Sequence, residues 1–231
     1  MPKQHHTGFT PATTKFLAEL RANNDRDWFN ANKQRYENDV VAPALNFIAA
    51  METRLRKISP HFRAIPKKTG GSLMRVYRDT RFAKDKTPYK TNIGIQFRHE
   101  LGKDVHAPGF YVHVEPHDVF LAAGIWHPEP RVLAQIRETI ADNPNAWRKA
   151  RDDKKFGACF ELRGDTLKRP PRGFDDEHAM IEDLKRKDFI AVEELRVKEI
   201  FAARFADRIN QSFTLTKPLM RFLCHALNLK F

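Results

Sequence analysis

The chain has 231 residues, 41% of them hydrophobic and 30% charged, and a formal net charge of +12. That length suits one large domain or two small ones, and the apolar fraction is ample for a core. No apolar run approaches the roughly 18 residues of a membrane span, and Met1 to Phe9 lacks the apolar stretch of a secretory leader. Cys159 and Cys224 each sit among apolar neighbours, which predicts two buried free thiols rather than a disulfide. These features exclude a membrane protein and a disulfide-built scaffold, and they predict a cytoplasmic protein.

Helical signals fill residues 9–59. Thr10-Pro11 reads as a helix start, with Thr at the N-cap and Pro at the first helical position. Phe16, Leu17 and Leu20 form its apolar stripe until Asn23-Asn24 breaks it. Asp25 opens a longer segment carrying Trp28, Phe29, Asn32 and Tyr36, which Pro43 is expected to end or kink. Leu45, Ile48, Met51, Leu55 and Ile58 then repeat at helical spacing as far as Ser59-Pro60.

Residues 62–125 change character. Met74 and Val76 alternate with Arg75 and Tyr77 over 72–78, which predicts a strand with Arg75, Tyr77 and Asp79 on its polar face. Ile93, Ile95 and Phe97 predict a second strand, and Phe110–Val114 and Val119–Ala123 two more with a short link between them. Close spacing of that kind predicts an antiparallel meander.

Residues 129–231 are mixed and mostly helical. Glu129-Pro130 starts a helix with Val132, Leu133, Ile136 and Ile140, ended by Asn143-Pro144. A more polar helix is expected over 145–155, a short strand from Phe156 to Leu162, a helix from Glu177 to Lys187 and a strand from Phe189 to Leu195. Residues 197–213 and about 216–228 predict two final helices. The fold class is therefore α+β, a single domain over 1–231 with a central, mostly antiparallel sheet flanked by N- and C-terminal helices.

Charge is concentrated rather than spread. Residues 61–110 carry 11 Lys/Arg against 4 Asp/Glu, a local excess of +7. Within them, residues 75–90 set Arg75, Arg78, Arg81, Lys84, Lys86 and Lys90 against only Asp79 and Asp85, with Tyr77, Phe82 and Tyr89 interleaved. So many like charges repel one another and call for an anionic counterpart. Arginine forks grip phosphate or carboxylate oxygens in pairs. Arg75, Arg78, Arg81, Lys86 and Lys90 are thus candidate ligand-binding residues, with Asp79 orienting the guanidinium groups and Tyr77 and Tyr89 as contact surfaces. Phe82 reads as a core plug. The alternative is a structural Arg–Asp network tying the loop to Asp25, Asp27 or Glu37.

The same stretch fits the pattern RxxRDxRFxxxKxPYK at Arg75, Arg78, Asp79, Arg81, Phe82, Lys86, Pro88, Tyr89 and Lys90. That pattern resembles the hallmark of a bacterial family called domain of unknown function 2461. Gly8-Phe9, Asn23-Asn24, Trp28-Phe29, Tyr111–Pro116, Gly124–Pro128, Gly164–Lys168, Pro171–Phe174 and Leu184–Lys187 extend the resemblance along the chain. The resemblance implies no established activity.

Two further groups carry chemistry. His113-Val-Glu115-Pro-His117, followed by His127, offers nitrogen and oxygen donors, but the spacing matches no zinc or iron motif, and no metal or other cofactor is expected. His113 and Glu115 share one side of a strand, and with Asp79 they are the candidate acid–base residues if the protein is an enzyme. Lys168, Arg169 and Arg172, in a loop stiffened by Pro170 and Pro171, form a secondary basic loop: the favoured reading is a rigid surface connection whose cations offset Asp175, Asp176 and Glu177, and the alternative is a second wall of the same anion site. No nucleotide-binding glycine loop, nucleophile elbow or zinc-protease motif is present, and no RNA-recognition or helix-turn-helix signature. The partner expected is a phosphate-bearing or other anionic ligand, a nucleotide or a nucleic-acid backbone among them, with no membrane. The rival readings are an enzyme acting on an anionic substrate and a protein-interaction module.

Overall fold

The amino-terminal helices begin where their caps lie. In the computed structural model, which describes residues 7–102 and 107–231, Thr10 is extended (φ −121°, ψ 163°) before helix α1 (Pro11–Ala22). Helix α2 (Arg26–Ala31) starts at Asp25, whose carboxylate accepts the Trp28 N–H at 2.8 Å. Helix α3 (Lys33–Tyr36) runs through a π-helical turn (Glu37–Val41) into α4 (Ala42–Ile58).

Pro43 therefore leaves a widened turn rather than a stop. It has no N–H to give the Asp39 carbonyl four residues back. The hydroxyl of Thr13, fully buried on α1, donates to that carbonyl at 2.6 Å instead. One hydrogen bond thus joins α1 to the weak point of the next helical segment.

Six strands follow: β1 (Phe62–Arg63), β2 (Ile93–His99), β3 (Gly109–Val114), β4 (Val119–Ile125), β5 (Glu161–Arg163) and β6 (Phe189–Leu195). They form one antiparallel sheet in the order β1-β2-β3-β4-β6-β5. The meander read from the sequence is β2–β3–β4. Between and after the strands come α5 (Pro130–Asp142), α6 (Pro144–Arg151), α7 (Lys154–Gly157), α8 (Ile181–Leu184), a 3₁₀ turn (Val197–Phe201), α9 (Phe205–Leu215) and α10 (Lys217–Ala226).

Period-two alternation decides which face of the sheet the helices cover. Ile95 and Phe97 of β2, Phe110 and Val112 of β3, and Leu121 and Ala123 of β4 are buried against them. Phe47 of α4 meets Phe205 of α9 at 5.2 Å and Phe97 at 6.3 Å between ring centroids. A single hydrophobic cluster runs from Phe9 to Ala226, so helices from both ends of the chain pack on one sheet. The opposite face carries Gly94, Gln96, Tyr111, His113 and Ala122, which are smaller or polar, and the ring of Phe120.

Several expectations are corrected. Only Ile181–Leu184 is helical within 177–187. Upstream, the Glu177 N–H bonds the Asp175 carboxylate at 3.1 Å and the Met180 N–H bonds His178 Nδ1 at 3.1 Å, and such local bonds compete with helix. Phe156 lies on α7, capped by Asp153 at 2.9 Å, so the strand starts only at Glu161. The helix predicted over 197–213 breaks at 202–204. There the Ala203 carbonyl accepts the Thr7 N–H at 2.9 Å and the Thr7 hydroxyl at 3.0 Å, which docks the amino-terminal segment. Cys224 is buried as expected but Cys159 is exposed, since it follows a one-turn helix at the surface. Among the described residues no helix is long and apolar enough to cross a membrane. The leader reading at Met1 to Phe9 lies outside the described residues up to position 6.

Thr13→Val keeps the shape and removes the hydroxyl. An unsatisfied buried carbonyl costs about 1–3 kcal/mol. Urea unfolding is expected to show a loss of that size with the far-ultraviolet circular dichroism unchanged.

Candidate functional site

The basic stretch is an arm laid along the edge of β2. The Met74 N–H bonds the Gly94 carbonyl at 2.9 Å, and farther out the Lys90 N–H bonds the Val76 carbonyl at 2.7 Å and the Arg78 N–H the Pro88 carbonyl at 2.9 Å. Residues 72–78 are thus extended as predicted, though they make only isolated bridges at Leu73–Ile95 and Tyr77–Tyr89. Residues 79–87 form the irregular tip.

Tyr89 fixes the arm to the helices. It is only 4% exposed, and its ring stacks on Phe29 with centroids 4.0 Å apart and planes 20° from parallel. Asn24, at the break between α1 and α2, grips its backbone from both sides. Asn24 Oδ1 accepts the Tyr89 N–H at 3.0 Å, and Asn24 Nδ2 donates to the Tyr89 carbonyl at 2.9 Å. Tyr89 is thereby an anchor whose edge lines the site. Tyr77 is 55% exposed and its ring lies 5.4 Å from that of Tyr89. Phe82 is no core plug: it is 96% exposed at the arm's tip, past the edge of the sheet, with the Arg81 guanidinium 5.9 Å from its ring centroid.

Beneath the arm lies a polar cavity of about 360 Å³. Arg21, Asn24, Arg78, Lys90, Thr91 and Asn92 line it, with Asp85, Thr87 and Tyr89 completing the wall. Arg78 and Lys90 are the cations from the predicted cluster that reach it. Arg75, Tyr77, Arg81 and Lys86 lie outside the lining. Arg21 carried no signal in the sequence, sitting on α1 well before the arm in a stretch read only as helix. Asn24 was legible only as a helix breaker.

Three of the six cations are held by nearby groups. Arg81 forks onto Asp79, Nε to Oδ1 at 3.0 Å and Nη2 to Oδ2 at 2.7 Å. Hydrogen bonds from Arg81 keep the Asp79 carboxyl down at about 2. Arg78 pairs with Asp85 and donates to the Thr87 hydroxyl. The Arg78 bond, then those from Thr87, hold Asp85 at about 2. Lys86 Nζ donates to the Thr80 carbonyl at 2.9 Å. The network is therefore internal to the arm: Asp25 caps α2 and Glu37 pairs with Lys68, so neither receives these arginines. Asp79 orients Arg81, and it is Asp85 that orients Arg78.

Lys90 differs. No carboxylate of the described residues pairs with it, burial lowers its pKa, and the Arg75 charge lowers it further.

The end of β3 adjoins this cavity. Arg21 pairs with Glu115, Glu115 Oε1 lies 3.3 Å from His113 Nε2, and His113 Nδ1 lies 3.1 Å from Tyr111 Oη and 3.4 Å from Asn92 Nδ2. Burial pushes His113 down, partly offset by Glu115 and Asp118. Burial, with the Glu115 charge behind it, pushes Tyr111 up to about 12. A neutral imidazole with its proton on Nε2, facing Glu115, fits these neighbours. His113 and Glu115 are thus brought together beside the cavity, while Asp79 stays with Arg81 on the arm.

Other candidates are not brought there. His127 turns to Asp188, with Nδ1 3.1 Å from Oδ1. Among the described residues no three His, Cys, Asp or Glu side chains are grouped to hold a metal ion. Lys168, Arg169 and Arg172 belong to the connection between β5 and β6, the far edge of the sheet from β2. Four strand spacings of about 4.8 Å separate β2 from β5, so that loop does not wall this cavity.

A family model described as "Conserved hypothetical protein (DUF2461)" matches residues 12–222. No curated protein matches the chain.

Acid should undo the arm's network from the carboxylates. Their folded pKa lies below the unfolded value of about 3.9, so the ordering they provide is present above that value and is lost as pH falls toward 2. The Thr87 amide, bonded to Asp85 Oδ1 at 2.9 Å, reports it. Its NMR shift is expected to titrate with a midpoint of about 2. In Arg78→Ala that midpoint should rise toward the ordinary carboxylate range.

Proposed function

This chain belongs to the DUF2461 family of conserved hypothetical proteins, and we propose that its polar cavity binds a phosphate-bearing ligand. The observation that carries this reading is Lys90. It is partly buried, unpaired among the described carboxylates, and destabilised as a cation by burial and by Arg75. An anion in the cavity relieves that penalty directly. Arg78 and Arg21 stand in the same wall with one carboxylate partner each, and Asn24, Thr91 and Asn92 add neutral polar side chains. The concave shape suits one or two phosphate groups of a small molecule such as a nucleotide.

Inorganic pyrophosphate and adenosine monophosphate are suitable probes for calorimetric titration. Lys90→Met is expected to weaken pyrophosphate binding at least ~10-fold, the scale of one charge-assisted hydrogen bond of about 1.5–3 kcal/mol. Undiminished affinity in that variant, or no binding by the wild type at low salt, would sink the reading. Oligonucleotide binding that falls steeply with salt and vanishes in Arg75→Ala/Arg81→Ala would instead place a nucleic-acid backbone along the arm's outer face.

A second reading, turnover of the bound anion, is favoured by Glu115, whose partners Arg21 and His113 set it beside the cavity. Its expected signature is hydrolysis of p-nitrophenyl phosphate that Glu115→Gln abolishes while pyrophosphate affinity is kept. Hydrolysis unchanged in Glu115→Gln counts against it.

A further inference from the structure

The sheet face turned away from α4, α9 and α10 is hollow. Gly109 on β3 and Ala122 and Gly124 on β4 leave little bulk on two adjacent strands, while Met74, Phe120 and Trp126 stand round the gap. The cavity so formed measures about 410 Å³, inside the ~300–1,000 Å³ range of small-molecule sites. Gly94 lies beside this gap, not in its wall: a Cβ there would lie 2.8 Å from Tyr111 Oη and 2.9 Å from Met74 Sδ, and those side chains would have to shift.

Two polar side chains, Gln96 and Tyr111, line this otherwise apolar wall, opposite one another in the β2–β3 register. Tyr111 is braced from behind. Its Oη meets His113 Nδ1 at 3.1 Å, and the His113 ring stacks on Phe120 with centroids 4.5 Å apart and planes 9° from parallel. His113 Nε2 faces Glu115, so Nδ1 is an acceptor and Tyr111 O–H the donor to it. Asn92 Nδ2 lies 3.4 Å from the same Nδ1 and can supply a hydrogen in its place. The phenol hydrogen is then free to turn toward the cavity without leaving the buried imidazole unsatisfied.

We propose that this cavity binds a flat, largely apolar molecule bearing a carbonyl group, whose oxygen accepts the Tyr111 hydrogen while the Gln96 amide meets a polar atom beside it. An aromatic or conjugated ketone, aldehyde or lactam has that chemistry. The ring lies against Phe120 and Ala122, and Trp126, 49% exposed, covers it. The site uses none of the phosphate-binding cations, so it does not rest on the reading of the polar cavity.

The test titrates the full chain with 2-acetylnaphthalene and with 2-ethylnaphthalene, which lacks the carbonyl, following backbone amides by NMR. Saturable shifts at Gly109, Ala122 and Gly124 are expected with 2-acetylnaphthalene. Tyr111→Phe should weaken that ligand at least ~10-fold and leave 2-ethylnaphthalene unchanged. Ala122→Leu fills the cavity and should abolish both, and Lys90→Met should alter neither. Absence of saturable binding, equal 2-acetylnaphthalene affinity in Tyr111→Phe, or binding that survives Ala122→Leu overturns the proposal. Concentration-dependent shifts at these amides without any ligand also overturn it, by making the face a contact between copies of the chain.

Discussion

Asn24's two hydrogen bonds to the Tyr89 backbone hold the basic arm in place, and most of the local structure depends on them. The arm leaves the sheet at Val76 and returns at Lys90 with only backbone bridges to keep it extended. Its tip is exposed, so burial supplies little there. Asn24 replaces the strand that would otherwise satisfy Tyr89 on its outer side, and the Phe29 ring closes over the tyrosine. Because Asn24 sits at the break between α1 and α2, the helix ending and the arm's position are one event. The polar cavity is the space that this attachment leaves beneath the arm.

The electrostatics follow from that geometry. Six cations within sixteen residues repel one another, and the arm answers locally. Asp79 takes Arg81, Asp85 takes Arg78, and the Thr80 carbonyl takes Lys86. The first and third lie at the exposed tip, where water already screens charge and such contacts add little stability, while Arg78 and Asp85 reach into the cavity wall. Lys90 is nearer the root, half-covered and close to Arg75, and the chain places no described carboxylate against it. The imbalance is therefore sharpest where solvent screening is weakest, and it is this position within the cluster, more than the total of +12, that singles out the cavity.

How much of this was legible depended on the range of the interaction. The β2–β3–β4 meander could be read because Ile93, Ile95 and Phe97 and their counterparts alternate regardless of what packs above them. The strand at Phe189–Leu195 was legible for the same reason. The helix from 177 and the strand from Phe156 were misread because Asp175, His178 and Asp153 bond nearby backbone, a choice that composition does not reveal. The charged arm was visible as a cluster, but its inner ordering was not. Phe82 looked like an anchor and is solvent-facing, whereas Tyr89, three residues past Lys86, is the true anchor. Arg21 and Asn24 join the site only because α1 ends beside the arm, which is a tertiary fact.

Strand β3 ties the two cavities to the core. Phe110, Val112 and Val114 point into the helical layer, while Tyr111 and His113 point the other way. A slip of one residue in register would bury the phenol and imidazole and expose three large apolar side chains. The hydrophobic demand of the core thus sets the orientation of the polar face with no further device. Tyr111 lines the apolar cavity, and His113 bonds both Tyr111 and Asn92, a wall of the polar cavity. The two hollows therefore share a partition built from one alternating strand and one side chain of the segment that enters β2. Any change that shifts β3 along its neighbours moves both at once, whereas a change at the arm's tip reaches only the polar one.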